Sequence, residues 1–223
     1  MEILDTFFNI DVLRRTWPLL VSGLGTTLSL SVVGIVASMI WGLLLALGRL
    51  YGNLPIRFLV GVYIDFFRSI PLLVLLIVIY YALPFVSVKF SPFTSAALAL
   101  ILVAGAYAAE IFRAGILAVP KGQFEASEAL GLSYFSMMKD VVLPQAVKVV
   151  IPPLTNNSVN VLKDTALASV VAMPDLLKQA TQAQSLAANP TPLIGAAIIY
   201  VLILWPLVVI VSRLETRFAT EER

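Results

Sequence analysis

The 223-residue chain contains no cysteine and no histidine. Their absence excludes disulfides, thiol chemistry and the usual zinc sites. Charged residues are scarce as well, at 13% of the chain, against about 25% in a typical soluble domain. The net charge of +2 is too small to indicate nucleic-acid binding. No nucleophile–base pair and no metal-ligand cluster is evident, so an enzyme is the least favoured class of protein.

The chain has instead several long runs without any charge. Sixty per cent of its residues are hydrophobic, and 33 uncharged residues separate Arg15 from Arg49. Residues 69–88, 90–109 and 193–212 are further uncharged runs of 20 residues each. A spanning helix needs about 20 apolar residues to cross roughly 30 Å of hydrocarbon. The sequence therefore predicts an all-α polytopic membrane protein.

Five transmembrane helices fit the chain, within one domain that covers residues 1–223 and shows no internal repeat. We expect these helices near residues 19–47, 57–83, 92–113, 153–171 and 193–212. The predicted order along the chain is an amphipathic lead-in ending at Trp17-Pro18 (1–18), helices 1–3 (19–113), a cytoplasmic coupling loop (114–150), helices 4–5 (151–212) and a cytoplasmic tail (213–223). The first uncharged run is so long that its helix must tilt or project from the bilayer.

The basic residues predict the orientation in the membrane. With five spans, one face receives the first and third connecting loops and the C-terminus. That face has ten lysines and arginines, and the other has four. Because cytoplasmic loops are enriched in Lys and Arg, the ten-residue face is predicted to be cytoplasmic and the N-terminus to be outside.

A polar island at 125–144 is predicted to form two short helices on the cytoplasmic side. Residues 121–130 are rich in Ala, Glu and Leu, which favour helix. Gly131 can take the left-handed conformation that ends a helix, and Ser133 can cap the next one. Pro144 is expected to end or kink the second helix. The small residues around Ala126 would let a partner protein approach closely, although a hairpin resting on lipid is an open alternative.

The same island resembles the motif of the membrane permeases of bacterial ATP-binding-cassette importers. In that family Glu-Ala-Ala is followed after three residues by Gly, and after nine more by Ile-x-Leu-Pro. This chain has Glu125-Ala126-Ser127, then Gly131, then Val141-Val142-Leu143-Pro144 at the same spacings. Ser127 and Val141 depart from the pattern but keep its size and character.

Further segments resemble one branch of that family, the polar amino-acid permeases of the histidine, glutamate, glutamine, arginine and opine type. These segments are 63–76, 106–119 and 163–170, and the resemblance extends from about residue 20 to the C-terminus. It implies a type I importer permease fold in the bacterial inner (cytoplasmic) membrane. It also implies that the ATPase-coupling residues are Glu125, Ala126, Ser127, Ala129, Gly131, Leu143 and Pro144.

The resemblance further implies a set of partners. They are two ATPase subunits that carry ATP and Mg²⁺, a second permease subunit that is identical or closely related, and a periplasmic or lipoprotein amino-acid-binding protein. This chain has no G-x-x-x-x-G-K-[S/T] phosphate loop, so ATP is expected to bind to a partner and no cofactor to this chain.

Helix 4 is predicted to line the substrate path. Ionisable groups within a membrane are costly and mark functional sites by default. Asn156, Asn160 and Lys163 share one helical face, and Asn157 and Asp164 form an adjoining line that includes Asn160. Lys163 would favour the carboxylate of a zwitterionic amino acid, and Asp164 its ammonium group. The alternative is that Lys163 and Asp164 pair with other helices or cap a broken helix end.

Two pairs of opposite charge lie near the predicted inner boundary. Glu110 and Arg113 are three residues apart on helix 3, and Asp65 and Arg68 repeat that spacing on helix 2. Local ion pairs are expected from this spacing, with a part in an inner gate as a weaker hypothesis. Pro71, in the first apolar turns of helix 2, is expected to bend that helix.

Two segments have alternative interpretations. The small residues Gly34, Ser38 and Gly42 lie four apart on helix 1, which favours ordinary helix packing over a specific dimer face. The polar stretch from Met173 to Pro192 predicts a short surface helix that starts near Pro174. It would face the binding protein or serve as a solvated connector.

The alternative function is an ion-coupled carrier or channel for a small polar solute, with Glu110 and Asp164 as proton sites. The missing inverted repeat, the five spans and the hairpin all disfavour it. A purely structural membrane scaffold would not explain the charges on helix 4.

Overall fold

The computed structural model describes residues 6–220, and the side chains of residues 6–216. Within these residues the regular structure is entirely helical. The α-helices are α1 (Ile10–Tyr51), α2 (Leu54–Ser69), α3 (Leu72–Ile77), α4 (Pro92–Leu117), α5 (Lys121–Ala129), α6 (Tyr134–Met137), α7 (Leu143–Asp164), α8 (Leu176–Ala187) and α9 (Thr191–Thr220). Wider π turns occur at Val78–Ala82 and Met138–Val142, and tighter 3-10 turns at Leu83–Val86 and Thr165–Val171.

Helix α1 is longer than the sequence predicted. It has 42 residues, about 63 Å at 1.5 Å per residue, and Asn9 caps it by accepting a hydrogen bond from the Val12 N–H. Pro18 lies inside this helix, so the predicted end of the lead-in at Trp17-Pro18 is wrong. The uncharged run continues the helix on the far side of Pro18, and this outweighs the single hydrogen bond that proline removes. Residues 1–5 of the lead-in lie outside the described part.

The small-residue stripe of α1 packs inside the molecule. A Cβ added to Gly42 would lie 2.6 Å from the Ala108 Cβ and 2.8 Å from the Gly105 carbonyl oxygen, both on α4. A Cβ on Gly34 would lie 3.1 Å from Val161 of α7. The absence of side chains therefore lets α1, α4 and α7 approach closely, and the interpretation of the stripe as ordinary helix packing is confirmed.

The predicted second span is broken. Helices α2 and α3 meet at an angle of 101°, and the break contains Ile70 and Pro71. Pro71 has no N–H to donate to α2, and it forces Ile70 into an extended conformation (ψ 130°). The expected bend at Pro71 is confirmed, and it separates two helices instead of curving one.

Among residues 6–220, the helices long and apolar enough to cross a membrane are α1, α4 and α9. The bent pair made of α2 and the segment Leu72–Val86 is a fourth candidate. The fifth predicted span is α7, whose asparagines and charges lower its apolar character. The predicted bounds also shift, since α4 continues to Leu117 and α7 begins at Leu143. The connection between α4 and α7 is thus shorter than the predicted loop 114–150.

Helix α4 lies at the centre of the bundle and α9 at its edge. In their most apolar 18-residue windows, 61% of α4 is buried but only 17% of α9. The hydroxyl group of Tyr63 joins the inner helices, because it accepts a hydrogen bond from Trp41 Nε1 (2.8 Å) and donates one to the Leu102 carbonyl (3.1 Å). The predicted tail at 213–223 begins as a continuation of α9 to Thr220, and residues 221–223 lie outside the described part.

Candidate functional site: a membrane cavity and a helical hairpin

Helices α5 and α6 form the predicted hairpin, which we define as residues 121–144. Gly131 has a left-handed backbone (φ 73°) and its N–H donates to the Glu128 carbonyl (2.9 Å), while the Leu132 N–H donates to the Ser127 carbonyl (3.1 Å). This pair of bonds is the Schellman arrangement that ends a helix. Ser133 then accepts from the Ser136 N–H and caps α6. Two short helices joined at Gly131 are confirmed.

The small residues of the motif have different environments. Glu125, Ala126 and Ala129 are exposed, as a docking surface requires. Ser127 is only 3% exposed, and its hydroxyl donates to the Gln123 carbonyl at 2.6 Å. The expectation that Ser127 presents a small contact surface to a partner is therefore wrong, because its hydroxyl belongs to the hairpin's own interior.

The hairpin also presents large apolar side chains that sequence reasoning missed. Leu130 is 79% exposed and Phe135 is 75% exposed, and Tyr134 beside them is exposed as well. They lie directly on either side of the Gly131 turn. The signal that could have found them is their position next to the Gly131 turn, at the tip of a two-helix hairpin.

The second arm of the hairpin does not stop at Pro144. A π turn over Met138–Val142 joins α6 to α7, and Pro144 is in the first turn of α7. The wider turn makes room for a proline that has no N–H, so the expected end of the helix is replaced by a local widening. Leu143 and Pro144 are both exposed.

A cavity of about 270 Å³ lies between α3, α4 and α7. Apolar side chains form one wall and polar side chains of α7 form the other. The lining residues are Leu72, Leu100, Val103, Ala104, Tyr107, Asn157, Asn160, Val161, Lys163 and Asp164. Four of the five residues predicted for the substrate path are thus brought together.

Asn156 is the fifth predicted path residue, and it does not line the cavity. It is exposed on α7, one turn before Asn160. The cavity is lined by the side of α7 that carries Asn157, Asn160 and Asp164, because this side faces α4. The side that carries Asn156 does not line it. Asn157 is fixed in place by its Nδ2, which donates to the Ala104 carbonyl at 3.3 Å.

Lys163 and Asp164 are the two charged residues that line the cavity. The ion pair seen nearby is Glu110–Arg113, and neither Lys163 nor Asp164 forms one within residues 6–216. Asp164 precedes the 3-10 turn Thr165–Val171 but makes no capping hydrogen bond to it. The alternative role of these two residues, pairing with other helices or capping a helix end, is therefore not seen in the described part of the chain.

The two predicted ion pairs have different outcomes. Arg113 holds Glu110 through Nη2 at 2.8 Å and Nε at 3.1 Å, so the local pair on α4 is confirmed. Asp65 and Arg68 do not pair within residues 6–216, and that expectation is wrong. The Arg68 guanidinium instead lies 5.3 Å from the centre of the Tyr107 ring, where a cation–π contact competes with an exposed carboxylate.

Asp175 is a buried carboxylate that the sequence analysis did not single out. Its exposed fraction is 0%, and Oδ1 caps α8 by accepting from the Lys178 N–H at 2.9 Å. Oδ2 has no hydrogen-bond partner among the described residues. Burial raises the pKa of Asp175 to about 6. An aspartate followed by an Ala-rich helical segment was the available signal for this cap.

Helix α8 is the predicted surface helix between Met173 and Pro192. Its start at Leu176 agrees with the expectation, but it is more than a solvated connector. Leu176, Ala180 and Ala183 are buried, and Leu176 and Ala180 share a hydrophobic cluster with Leu20 of α1. The Leu176 N–H donates to the hydroxyl of Thr27 at 3.0 Å, which fixes α8 on α1.

Comparison with known proteins gives the family. Residues 34–220 match the family of binding-protein-dependent transport system inner membrane components. The chain belongs to this family. The L-cystine transport system permease protein TcyB of Bacillus subtilis (strain 168) is 39% identical over 96% of this chain and 93% of its own length. A putative glutamine transport system permease protein of Rickettsia bellii is 43% identical over 72% of this chain and 74% of its own length.

Solved structures agree with this assignment. A crystal structure of an amino acid ABC transporter with histidines has a TM-score of 0.85 and 36% identity, covering 92% of this chain and 96% of that one. A methionine ABC transporter in an inward-facing conformation shares the fold alone, with a TM-score of 0.69 and 23% identity. The predicted type I importer permease fold is confirmed, and these relatives do not favour an ion-coupled carrier.

Proposed function

We propose that this chain is the membrane subunit of an ATP-driven importer of polar amino acids, which forms the translocation path while a separate ATPase supplies the energy. The observation that carries the proposal is that α4 and α7 line the cavity and also lead into the two arms of the hairpin. A partner that moves the hairpin would therefore move two walls of the cavity. Relatives named for L-cystine and glutamine transport support an amino acid as the solute.

The hairpin is built to transmit such a movement. A Cβ on Gly115 of α4 would lie 2.1 Å from Val150 Cγ1 of α7, so the two helices are in close contact at the base of the hairpin. Gln145 Nε2, in the first turn of α7, donates to Gln123 Oε1 of α5 at 3.2 Å and joins α7 to the hairpin. Val142 is fully buried beneath them. A hairpin held in this way moves as a unit with α4 and α7.

Its exposed tip supplies the docking surface for the ATPase. Leu130, Tyr134 and Phe135 would bury apolar area in a groove of the partner, and Ala126 and Ala129 would allow close approach along α5. Aromatic residues such as tyrosine are typical of hot spots, the residues that contribute most of the binding energy in protein interfaces. Two ATPase subunits, each binding ATP with Mg²⁺, would hold the hairpins of two permease subunits.

The cavity would receive the amino acid. Asp164 would bind its ammonium group, Lys163 its carboxylate, and Asn157 and Asn160 would supply amide hydrogen bonds. Asn156 would lie on the exposed face of α7, which a second permease subunit would cover, since uncovered amides within lipid are costly. Glu110, Arg113, Arg68 and Asp65 would form the inner boundary of the path.

Orientation and the remaining partner follow from the same scheme. The hairpin and the C-terminus would be cytoplasmic, the N-terminus outside, and the protein would reside in the bacterial inner membrane. A periplasmic or lipoprotein binding protein would deliver the amino acid near α8. ATP binding would close the two ATPases, draw the hairpins together and open the path outward, and hydrolysis would reset it inward.

A pull-down from detergent extracts tests the proposal. We expect the wild-type chain to retain an ATPase, and the double variant Leu130→Asp/Phe135→Asp to lose it, because carboxylates would oppose burial of the tip. Leu186→Asp is the matched control, since Leu186 is equally exposed (81%) on α8. A folded, inserted wild-type chain that retains no ATPase would contradict the proposed function.

A further inference from the structure

The cavity contains one positive and one negative charge, and no others. Lys163 and Asp164 are neighbours at the end of α7, and the other eight lining residues are uncharged. Neither charge is paired within residues 6–216. The cavity lining therefore has a net charge of zero, and each of its two charged groups is available to bind a ligand.

A free amino acid brings one carboxylate and one ammonium group, and these two groups use both charges. Whatever the amino acid carries on its side chain must then face the rest of the lining. On the α3 and α4 walls that lining is apolar, with Leu72, Leu100 and Val103. On the α7 wall it consists of the amides of Asn157 and Asn160.

A charged side chain would find no counter-charge in that lining. An unpaired charge in a site that excludes water is unfavourable, because nothing compensates for the loss of its hydration. An uncharged polar side chain would meet amide donors and acceptors at no such cost.

Three charged groups near the cavity do not change this balance. Arg68 stacks on Tyr107, whose ring lines the cavity, but the guanidinium itself is not part of the lining. Glu110 is bound by Arg113 at 2.8 Å. Both arginines therefore lie beyond the cavity, with Glu110 compensating one of them. The volume of about 270 Å³ is just below the roughly 300–1,000 Å³ of sites for drug-sized ligands, which suits a single amino acid.

We infer that the cavity selects amino acids whose side chain is polar but uncharged, and that Asn160 is the residue that sets this preference. The inference rests on the proposed function, in which the cavity binds the transported amino acid. Asn160 is exposed on the polar wall and makes no hydrogen bond within the described residues, so its amide is available to a ligand. Asn157 is already bonded to Ala104.

Pairs of amino acids that differ in charge but hardly in shape provide the test. Equilibrium dialysis on the purified permease–ATPase complex, without binding protein, would measure L-glutamine against L-glutamate and L-citrulline against L-arginine. We expect each neutral member to bind at least tenfold more tightly than its charged counterpart. The variant Asn160→Asp should reverse the second pair, because the added carboxylate would meet the guanidinium of arginine.

Asn53→Asp is the matched control, since it adds the same charge outside the cavity, at the cap of α2, where aspartate caps as well as asparagine. It should leave both preferences as in the wild type. Equal affinity for the charged and neutral members of each pair would overturn the inference and leave the importer function intact. If none of the four amino acids binds, the cavity site itself is refuted, and uptake by the complex reconstituted with its binding protein would show separately whether the proposed function holds.

Discussion

The hairpin and the polar wall of α7 depart from their surroundings in opposite ways. The hairpin, predicted to lie in water, exposes Leu130 and Phe135. Helix α7, predicted to cross the membrane, exposes Asn160 and Lys163. A side chain whose character is opposite to its solvent is unfavourable unless something else covers it. In the proposed importer an ATPase would cover the first surface, and the amino acid and a second permease subunit would cover the second.

The apolar parts of α4 and α9 match their surroundings. Helix α9 presents apolar side chains on the edge of the bundle, as lipid requires, and α4 is largely enclosed by α1 and α7. This contrast separates residues that stabilise the bundle from residues that are proposed to contact a partner or the solute. Changes at the hairpin and in the cavity should therefore impair transport while the protein still inserts, and each should do so for a different reason.

The largest effect is expected at the turn of the hairpin. Gly131→Val places a β-branched residue at φ 73°, a conformation that such residues avoid. The turn would reorganise and displace Leu130 and Phe135, and we expect ATPase-driven uptake in proteoliposomes to fall at least tenfold. Gly25→Val is the control, because Gly25 lies in α1, outside the hairpin, with no atom within 4 Å of an added Cβ. Equal uptake by both variants would show that the turn geometry is unimportant.

A smaller effect is expected in the cavity. Asp164→Asn removes the charge proposed to bind the ammonium group, and hydrogen bonds to charged groups contribute about 1.5–3 kcal/mol. We expect the substrate concentration at half-maximal uptake to rise about 10–100-fold, with ATPase binding unchanged. Asp11→Asn, an exposed carboxylate in the first turn of α1, is the control. Unchanged uptake by Asp164→Asn at all substrate concentrations would remove Asp164 from the path.

The same contrast explains what the sequence could predict. The turn of the hairpin depends on local signals, with Gly131 ending one helix and Ser133 capping the next, so this turn was predictable from the sequence. The cavity depends on contacts between distant segments. The asparagines of α7 were found from helical spacing alone, but Leu72, Leu100 and Tyr107 were not, since nothing local indicates which residues of α3 and α4 face α7.

Two errors have the same origin. Spacing of three residues allowed an Asp65–Arg68 pair, but the tertiary structure offered Arg68 the ring of Tyr107. Small size and the motif resemblance placed Ser127 among the contact residues, but packing of α5 on its own hairpin buried it. In both cases the local pattern was compatible with the prediction, and a contact formed by folding decided otherwise.

Asp175 provides the smallest and most specific prediction, because it is a fully buried carboxylate whose Oδ2 has no hydrogen-bond partner among the described residues. Its folded-state pKa of about 6 is above the unfolded value of about 3.9. The folded protein therefore binds more protons than the unfolded one between these values, and stability falls as pH rises from about 4 to above 6. The loss is about 3 kcal/mol at most.

The variant Asp175→Asn removes the ionisable group and keeps the cap, since asparagine is an equally good N-cap residue. We expect its melting temperature in detergent to exceed that of the wild type at pH 7.5 and to equal it near pH 4. Asp175→Ala separates the two roles, because it also abolishes the cap on α8 and should melt below the Asn variant at both pH values. The opposite outcome is that the wild type gains melting temperature over Asp175→Asn as the pH rises from 4 to 7.5. That result would mean that the ionised carboxylate stabilises the folded protein. In that case Asp175 has a partner, and α8 is held to α1 and α9 by an ionic contact instead of a neutral cap.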